Sequence, residues 1–350
     1  GFEVRDVVLH LFGSGFPKSL DVSKAIDAAS GEVREVRVGP RPGTHGGGGS
    51  YGHGNDRSIT APATDRAREW EGYGTALKPA AEHWILVRKK LDGTVAANVA
   101  KWGVGAIAID ACRVGDLGGT RGTDFAGTGL LGIGGKATIT ALNVGRWPAN
   151  VTLSEDAARE LDEQAGDHPG MSGGGSHSAN YAGGMFGSID APHLARNDTG
   201  GPSRFFYVAK TSTAERNFGC ENLPARTAAE RVDRDEDSAG MDSPRAGAGR
   251  TGGARNHHPT IKSISLTKWL ATLIKPPGDG KRLLCPFAGS GGEVIGAMRA
   301  GWEHIDGIEQ DADFVEIARA RIARWEEVPM HLEPDDVAPV KSDERQGALF

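Results

Sequence analysis

The feature that most limits how this chain can fold lies at residues 283–309. An apolar run, Leu283-Leu284-Cys285, meets Pro286-Phe287-Ala288-Gly289-Ser290-Gly291-Gly292, and residues 293–299 then read as a helix. A strand, a tight glycine turn and a helix N-terminus make a place to bind a polar ligand. Glycine lets the backbone approach closely, and the first turn of a helix has free N–H donors. A second short strand, Ile305-Asp306-Gly307-Ile308, ends in Glu309, twenty residues after Gly289. In a doubly wound sheet an acid at that place reaches ribose hydroxyls. The turn alone suits many nucleotides, or a plain structural turn; Glu309 tilts it toward a ribose-bearing ligand. No Lys-Ser/Thr follows the glycines, which excludes a P-loop.

Composition narrows the classes. With 350 residues the chain has room for two domains or one elaborated domain. The net charge of −6 gives no overall basic field, so any nucleic-acid surface must be local. No apolar run reaches the length of a membrane span, and no signal-peptide pattern is present. Cys112, Cys220 and Cys285 are far apart and have neither metal-ligand nor disulfide-framework spacing, which points to a reducing cytoplasm.

Taken in order, residues 3–12 form a β-rich run and predict a strand. Residues 20–29 predict a helix with Asp21 as cap, and residues 31–69, rich in glycine, predict a loop-like insertion. His45 and His53 within it have no partner at metal-ligand spacing and read as loop residues. Residues 82–89 predict a second strand, an antiparallel neighbour of the first across the insertion. A weaker helix is expected at 94–102 and a β-compatible run at 106–114. Short strands are expected at 139–144, 147–153 and 204–210, and a helix capped by Ser154 at 154–164. Residues 166–201 and 225–256 read as loop. At 263–275, Leu266, Trp269, Leu270, Leu273 and Ile274 share one helical face, and Pro276-Pro277 end it. Asp311 caps a last helix with Phe314, Ile317, Ala318, Ile322 and Trp325 on its apolar side. Residues 330–350 form a polar tail.

Several blocks together resemble a family. Pro286-Phe287-Ala288-Gly289-Ser290-Gly291, Gly307-Ile308-Glu309 and the helix from Asp313 to Ile322 look like the cofactor half of DNA amino-methyltransferases. His258-Pro259-Thr260-Ile261-Lys262 matches that family's segment before the cofactor strand. The blocks Gly1-Phe2-Glu3-Val4-Arg5-Asp6, Gly13-Ser14-Gly15-Phe16-Pro17-Lys18-Ser19, Lys78-Pro79-Ala80-Ala81-Glu82-His83 and Gly145-Arg146-Trp147-Pro148-Ala149-Asn150 resemble phage and prophage members. The resemblance runs from Gly1 to about Trp325, interrupted by two glycine-rich insertions.

The order of blocks resembles the permuted class, in which the catalytic strand precedes a target-recognition insertion and the cofactor motif. The resemblance implies an α/β, Rossmann-like S-adenosylmethionine-dependent methyltransferase fold with an inserted, loop-rich recognition region. It implies transfer of methyl from S-adenosylmethionine to an exocyclic amine of a flipped base in double-stranded DNA, adenine N6 before cytosine N4. A cognate restriction enzyme would be a further partner, as in restriction-modification systems. Phe287, Gly289, Ser290, Gly291 and Glu309 are expected against the cofactor, with Thr260 and Lys262 closing its pocket. His10 and Phe12 fall where the family places groups near the target base, and Lys18, Arg88, Lys89, Lys90, Arg204 and Lys210 are candidates for phosphate contacts. The expected domains are the end of a catalytic part at 1–105, a recognition region at 106–256, a cofactor subdomain at 257–328 and a tail at 329–350.

There are departures. The family's Asp/Ser/Asn-Pro-Pro-aromatic tetrapeptide is not in this sequence, since Pro276-Pro277 lies between Lys275 and Gly278. It is expected N-terminal to Gly1, and the chain is then expected to be a C-terminal portion of a longer protein. Cys285 stands where the family often has an acid, Ser263 replaces a common proline, and Gly292-Glu293 replaces two threonines. The alternatives from this reading are a non-catalytic DNA-binding remnant and an NAD-type enzyme. The lack of a full Gly-x-Gly-x-x-Gly argues against the latter.

Overall fold

The structure, a computed structural model, describes residues 1–13, 19–40, 56–116, 120–123, 138–141, 144–170, 176–178, 190–192, 198–210, 213–226 and 254–332. The chain divides into two compact units. One gathers Gly1–Gly13, Ala81–Thr227 and Gly252–Phe350; the other gathers Ser14–Ala80 and Ala228–Thr251. The first thirteen residues thus share a unit with Ala81–Thr227 and Gly252–Phe350.

In chain order the first elements are β1 (Phe2–Leu11), α1 (Val22–Ser30), β2 (Val36–Pro40), β3 (Asp56–Thr60), α2 (Asp65–Glu69), β4 (Ala81–Lys89) and α3 (Val95–Trp102). The middle holds β5 (Thr120–Thr123), β6 (Thr138–Ala141), β7 (Val151–Ser154), α4 (Glu155–Ala165), β8 (His168–Pro169), β9 (Ser176–Ser178), β10 (Asp190–Pro192), β11 (Thr199–Gly200), β12 (Tyr207–Ala209) and α5 (Thr213–Asn217). The last are α6 (Ile264–Leu273), β13 (Arg282–Cys285), α7 (Gly292–Arg299), β14 (His304–Gly307) and α8 (Ala312–Glu326). No helix among the described residues is long and apolar enough to cross a membrane.

The first unit is mixed α/β. Its main sheet has the order β12-β7-β1-β4, with β1 antiparallel to β4 and parallel to β7, and β12 parallel to β7. A register shift between Val4 and Asp6 marks a bulge in β1. One face of this sheet meets α6: Val8, Cys112, Trp269 and Leu273 are buried together, with Trp84, Tyr207 and Leu270 packed around them. Tyr207 and Trp269 stack at 5.3 Å, and the Tyr207 hydroxyl donates to the Ser265 carbonyl at 2.9 Å.

A second, parallel pair joins β13 to β14, from Arg282 opposite His304 to Cys285 opposite Gly307. Helix α7 connects them, the strand–helix–strand unit that parallel pairing requires. Ile295 of α7 is fully buried with Ile264, Trp325 and Val328. Helices α6 and α7 approach closely at Gly296, where a Cβ would stand 2.7 Å from the Lys268 backbone nitrogen. Any larger residue there would force the two helices apart.

In the second unit, β2 and β3 form an antiparallel ladder, and α1 packs with α2. The buried Asp27 organises it. Its carboxylate accepts from Ala63 N at 2.9 Å, Thr64 N at 3.1 Å and Thr64 Oγ1 at 2.8 Å, and Arg34 Nε lies 3.2 Å away.

Most strongly patterned segments fold as their sequence predicts; four differ. The run at 106–114 is not a strand: a 3-10 turn at Asp110–Cys112 drops Cys112 into the core, where its carbonyl accepts from Trp269 Nε1 at 3.4 Å. The insertion at 31–69 contains the β2–β3 ladder and α2, whose cap Thr64 is held by Asp27. Its residues 41–55, with His45 and His53, lie outside the described residues. The segment 166–201 holds short ladders, β8 with β11 and β9 with β10. Residues 202–205 turn rather than extend, because Asp162 accepts from Ser203 N at 2.8 Å and Ser203 Oγ at 2.6 Å. Most of the expected loop at 225–256 and the tail from 333 lie outside the described residues.

Candidate functional site

The glycine turn and Glu309 occupy the same ends of β13 and β14, because those strands are parallel and in register. The turn is stitched to the second strand by its backbone. Ala288 N donates to the Ile308 carbonyl at 2.8 Å, and Ile308 N donates to the Cys285 carbonyl at 2.9 Å. The Glu309 carboxylate adds a third tie, accepting from Gly289 N at 2.8 Å and from Asp311 N at 2.9 Å. The Asp311 amide is the largest influence holding this carboxyl below the usual range. The carboxylate keeps acceptor capacity beyond these backbone bonds.

Helix α7 starts from Gly291, whose φ is 82°, and no side chain caps it. Phe287 is 88% exposed and Ile308 56% exposed, so two apolar side chains stand in solvent just beyond β13 and β14. An acceptor carboxylate and exposed apolar groups at the same strand ends can together contact a ligand that has both hydroxyls and an apolar face.

The glycines themselves answer to the protein. At Gly289 φ is 51°, and a Cβ there would stand 2.7 Å from His258 Nε2. His258 packs edge-on against Phe314 with ring centroids 4.6 Å apart, and burial is the main cause lowering its pKa. Ser290 is buried, and its hydroxyl faces Asn256 and Arg321 beneath the turn.

Thr260 is exposed, and its amide donates to His258 Nδ1 at 3.3 Å. Lys262 pairs with Glu82 of β4 at 2.5 Å, with its Nζ 5.9 Å from the Trp84 ring centre. Cys285 and Glu293 border a groove of about 230 Å³ whose other walls include Val8, Trp84, Leu270 and Leu283. Burial pushes the Cys285 thiol up to about 11 and raises the Glu293 pKa. Both are therefore biased toward their neutral forms.

His10 is buried, with Nδ1 3.0 Å from Thr152 Oγ1, and burial is the main cause lowering its pKa. Phe12 is half-buried, its ring 6.4 Å from that of His10. Of the cations considered for phosphate contacts, Lys89 and Lys90 are exposed, Arg88 lies 3.7 Å from Glu3, and Lys18 lies outside the described residues. Arg204 is committed to Asp198 at 3.1 Å and stacks on Phe205; the Lys210 carbonyl accepts from Ser263 and Ser265.

Four residues of the site were not singled out from sequence: Asn256, His258 as a contact of the turn, Glu293 and Arg321. For Arg321 a signal existed. It falls in the helical row of Phe314, Ile317, Ala318 and Trp325, where a charge is out of place. The described residues contain no cluster of His, Cys, Asp and Glu able to hold a metal. Comparison with family models, with curated proteins and with solved structures found no match for this chain.

Proposed function

We propose that this chain carries the S-adenosylmethionine-binding part of a DNA amino-methyltransferase with a Rossmann-like fold, acting on adenine N6 in preference to cytosine N4. The observation that carries the reading is the Gly289–Glu309 contact, which sets a glycine turn and a ribose-competent carboxylate side by side at the ends of two parallel strands. Glu309 would take the ribose hydroxyls, and Phe287 would flank the nucleoside. S-adenosylmethionine supplies a methyl group on a positively charged sulfur. The chain's task is to hold that methyl in line with the acceptor amine, and alignment is a large part of the barrier in such a transfer. The acceptor would be a base turned out of the duplex, since an amine inside the stack is out of reach. The Pro-Pro-aromatic segment that would grip it is not in this sequence. A DNA-binding remnant without catalysis fits that same fact.

Calorimetry of the chain with S-adenosylmethionine and, separately, with NAD tests the reading. Binding of the first and not the second is the expected result. Binding of NAD alone would overturn it. Methyl transfer to DNA then separates the enzyme from the remnant.

A further inference from the structure

Arg321 lies in the middle of α8 and is fully buried. Its Nη1 donates to the Ser290 carbonyl at 2.7 Å and to Ser290 Oγ at 3.2 Å, and its Nη2 reaches the Glu215 carbonyl at 3.5 Å. Asn256, also fully buried, donates from Nδ2 to Ser290 Oγ at 3.4 Å and to the Arg216 carbonyl at 2.9 Å. Its own amide donates to Asn217 Oδ1 at 3.1 Å. Two buried donors thus converge on one serine of the glycine turn, and both also hold the α5 segment.

A buried guanidinium is costly, and an apolar residue would continue the face formed by Ile317, Ala318 and Trp325. Simple packing therefore does not account for an arginine here. Its best bonds end on Ser290, whose neighbours are the two positive-φ glycines of the turn. We propose that Arg321 is a positioning residue: with Asn256 as second anchor, it fixes the Ser290 peptide and so holds the Gly289–Gly291 backbone in its ligand-ready shape. Its effect on S-adenosylmethionine rests on the function proposed above; its effect on the turn does not.

The test uses the whole chain and two readouts. Amide hydrogen exchange is followed in the wild type and in Arg321→Met, Arg321→Lys and Ser290→Ala, and S-adenosylmethionine affinity is measured in each. In Arg321→Met, exchange at residues 288–293 should rise about tenfold or more while β1 and β4 stay protected. Ser290→Ala should show a smaller rise at the same amides, and Arg321→Lys should restore part of the protection. Affinity should fall in the same order. An even rise across the first unit, or none at 288–293, overturns the proposal. If Arg321→Met does not fold, Ser290→Ala decides: unchanged exchange at the turn overturns it. If the wild type binds no S-adenosylmethionine, the functional reading fails, and the exchange data still decide the role of Arg321.

Discussion

Glu309 accepts the amide hydrogen of Gly289 at 2.8 Å across twenty residues of sequence. One carboxylate therefore braces the turn, and under the proposed function it also meets the ligand. Glu309→Gln should weaken S-adenosylmethionine binding by roughly tenfold to a hundredfold, the range expected for losing a charged acceptor. Calorimetry reads the change directly. The amides of Asp311, Gly289 and Gln310 outweigh burial and keep this carboxyl below its ordinary value of 4.5. A lowered acid contributes stability above its unfolded pKa and loses it as pH falls through the folded one. The brace should therefore hold at and above pH 4.5 and fail only in more acid solution, seen as a lower protection of the Gly289 amide relative to its intrinsic exchange rate at each pH.

Gly289→Ala should destabilise the chain by about 1–3 kcal/mol, through both the left-handed backbone and the collision with His258. Urea denaturation measures it. Pairing it with His258→Ala should relieve the collision and leave the backbone part. A loss near zero in the single variant would mean that the turn is not held at this φ.

Glu293 has its pKa raised chiefly by burial. An acid raised in the folded state contributes stability below its unfolded pKa and loses it as pH rises through the folded value. Glu293→Gln should therefore raise the melting temperature at neutral pH, with the gain shrinking toward nothing at pH 4.5 and below. A gain independent of pH would point to packing instead.

Asp27 is opposed by burial, but hydrogen bonds from Ala63 and Thr64, with Arg34 nearby, bring its pKa below the ordinary 3.8. Asp27→Asn should loosen the Ala63 and Thr64 amides and the start of α2. The change should be confined to the second unit, with β13 and α7 keeping their protection. The loss in wild type should set in only as pH falls below 3.8. Site-resolved hydrogen exchange checks both statements.

The sequence by itself determined the elements whose signals are local. Asp21, Ser154 and Asp311 cap the helices they precede, because a side-chain oxygen next to free N–H groups needs no distant partner. The strands β1 and β4, the strand–glycine turn–helix at residues 283–299 and the acid just after β14 were legible for the same reason: their apolar spacing and turn chemistry are written in adjacent residues. Only the tertiary structure decided what depends on burial and long-range contact. Residues 106–114 have strand-like composition, yet Cys112 turns inward beneath Trp269, 157 residues away. Asp27 looked like one helix residue among others, and three donors from 36 and 37 residues on make it the centre of its unit. Arg321 falls in the apolar row of α8, but its acceptors, the Ser290 carbonyl and hydroxyl, lie 31 residues away and come to it only through the packing of α8 against the turn. A charge declares its role only when the fold removes the water around it and supplies the acceptors, and those acceptors come from parts of the chain that no local window contains.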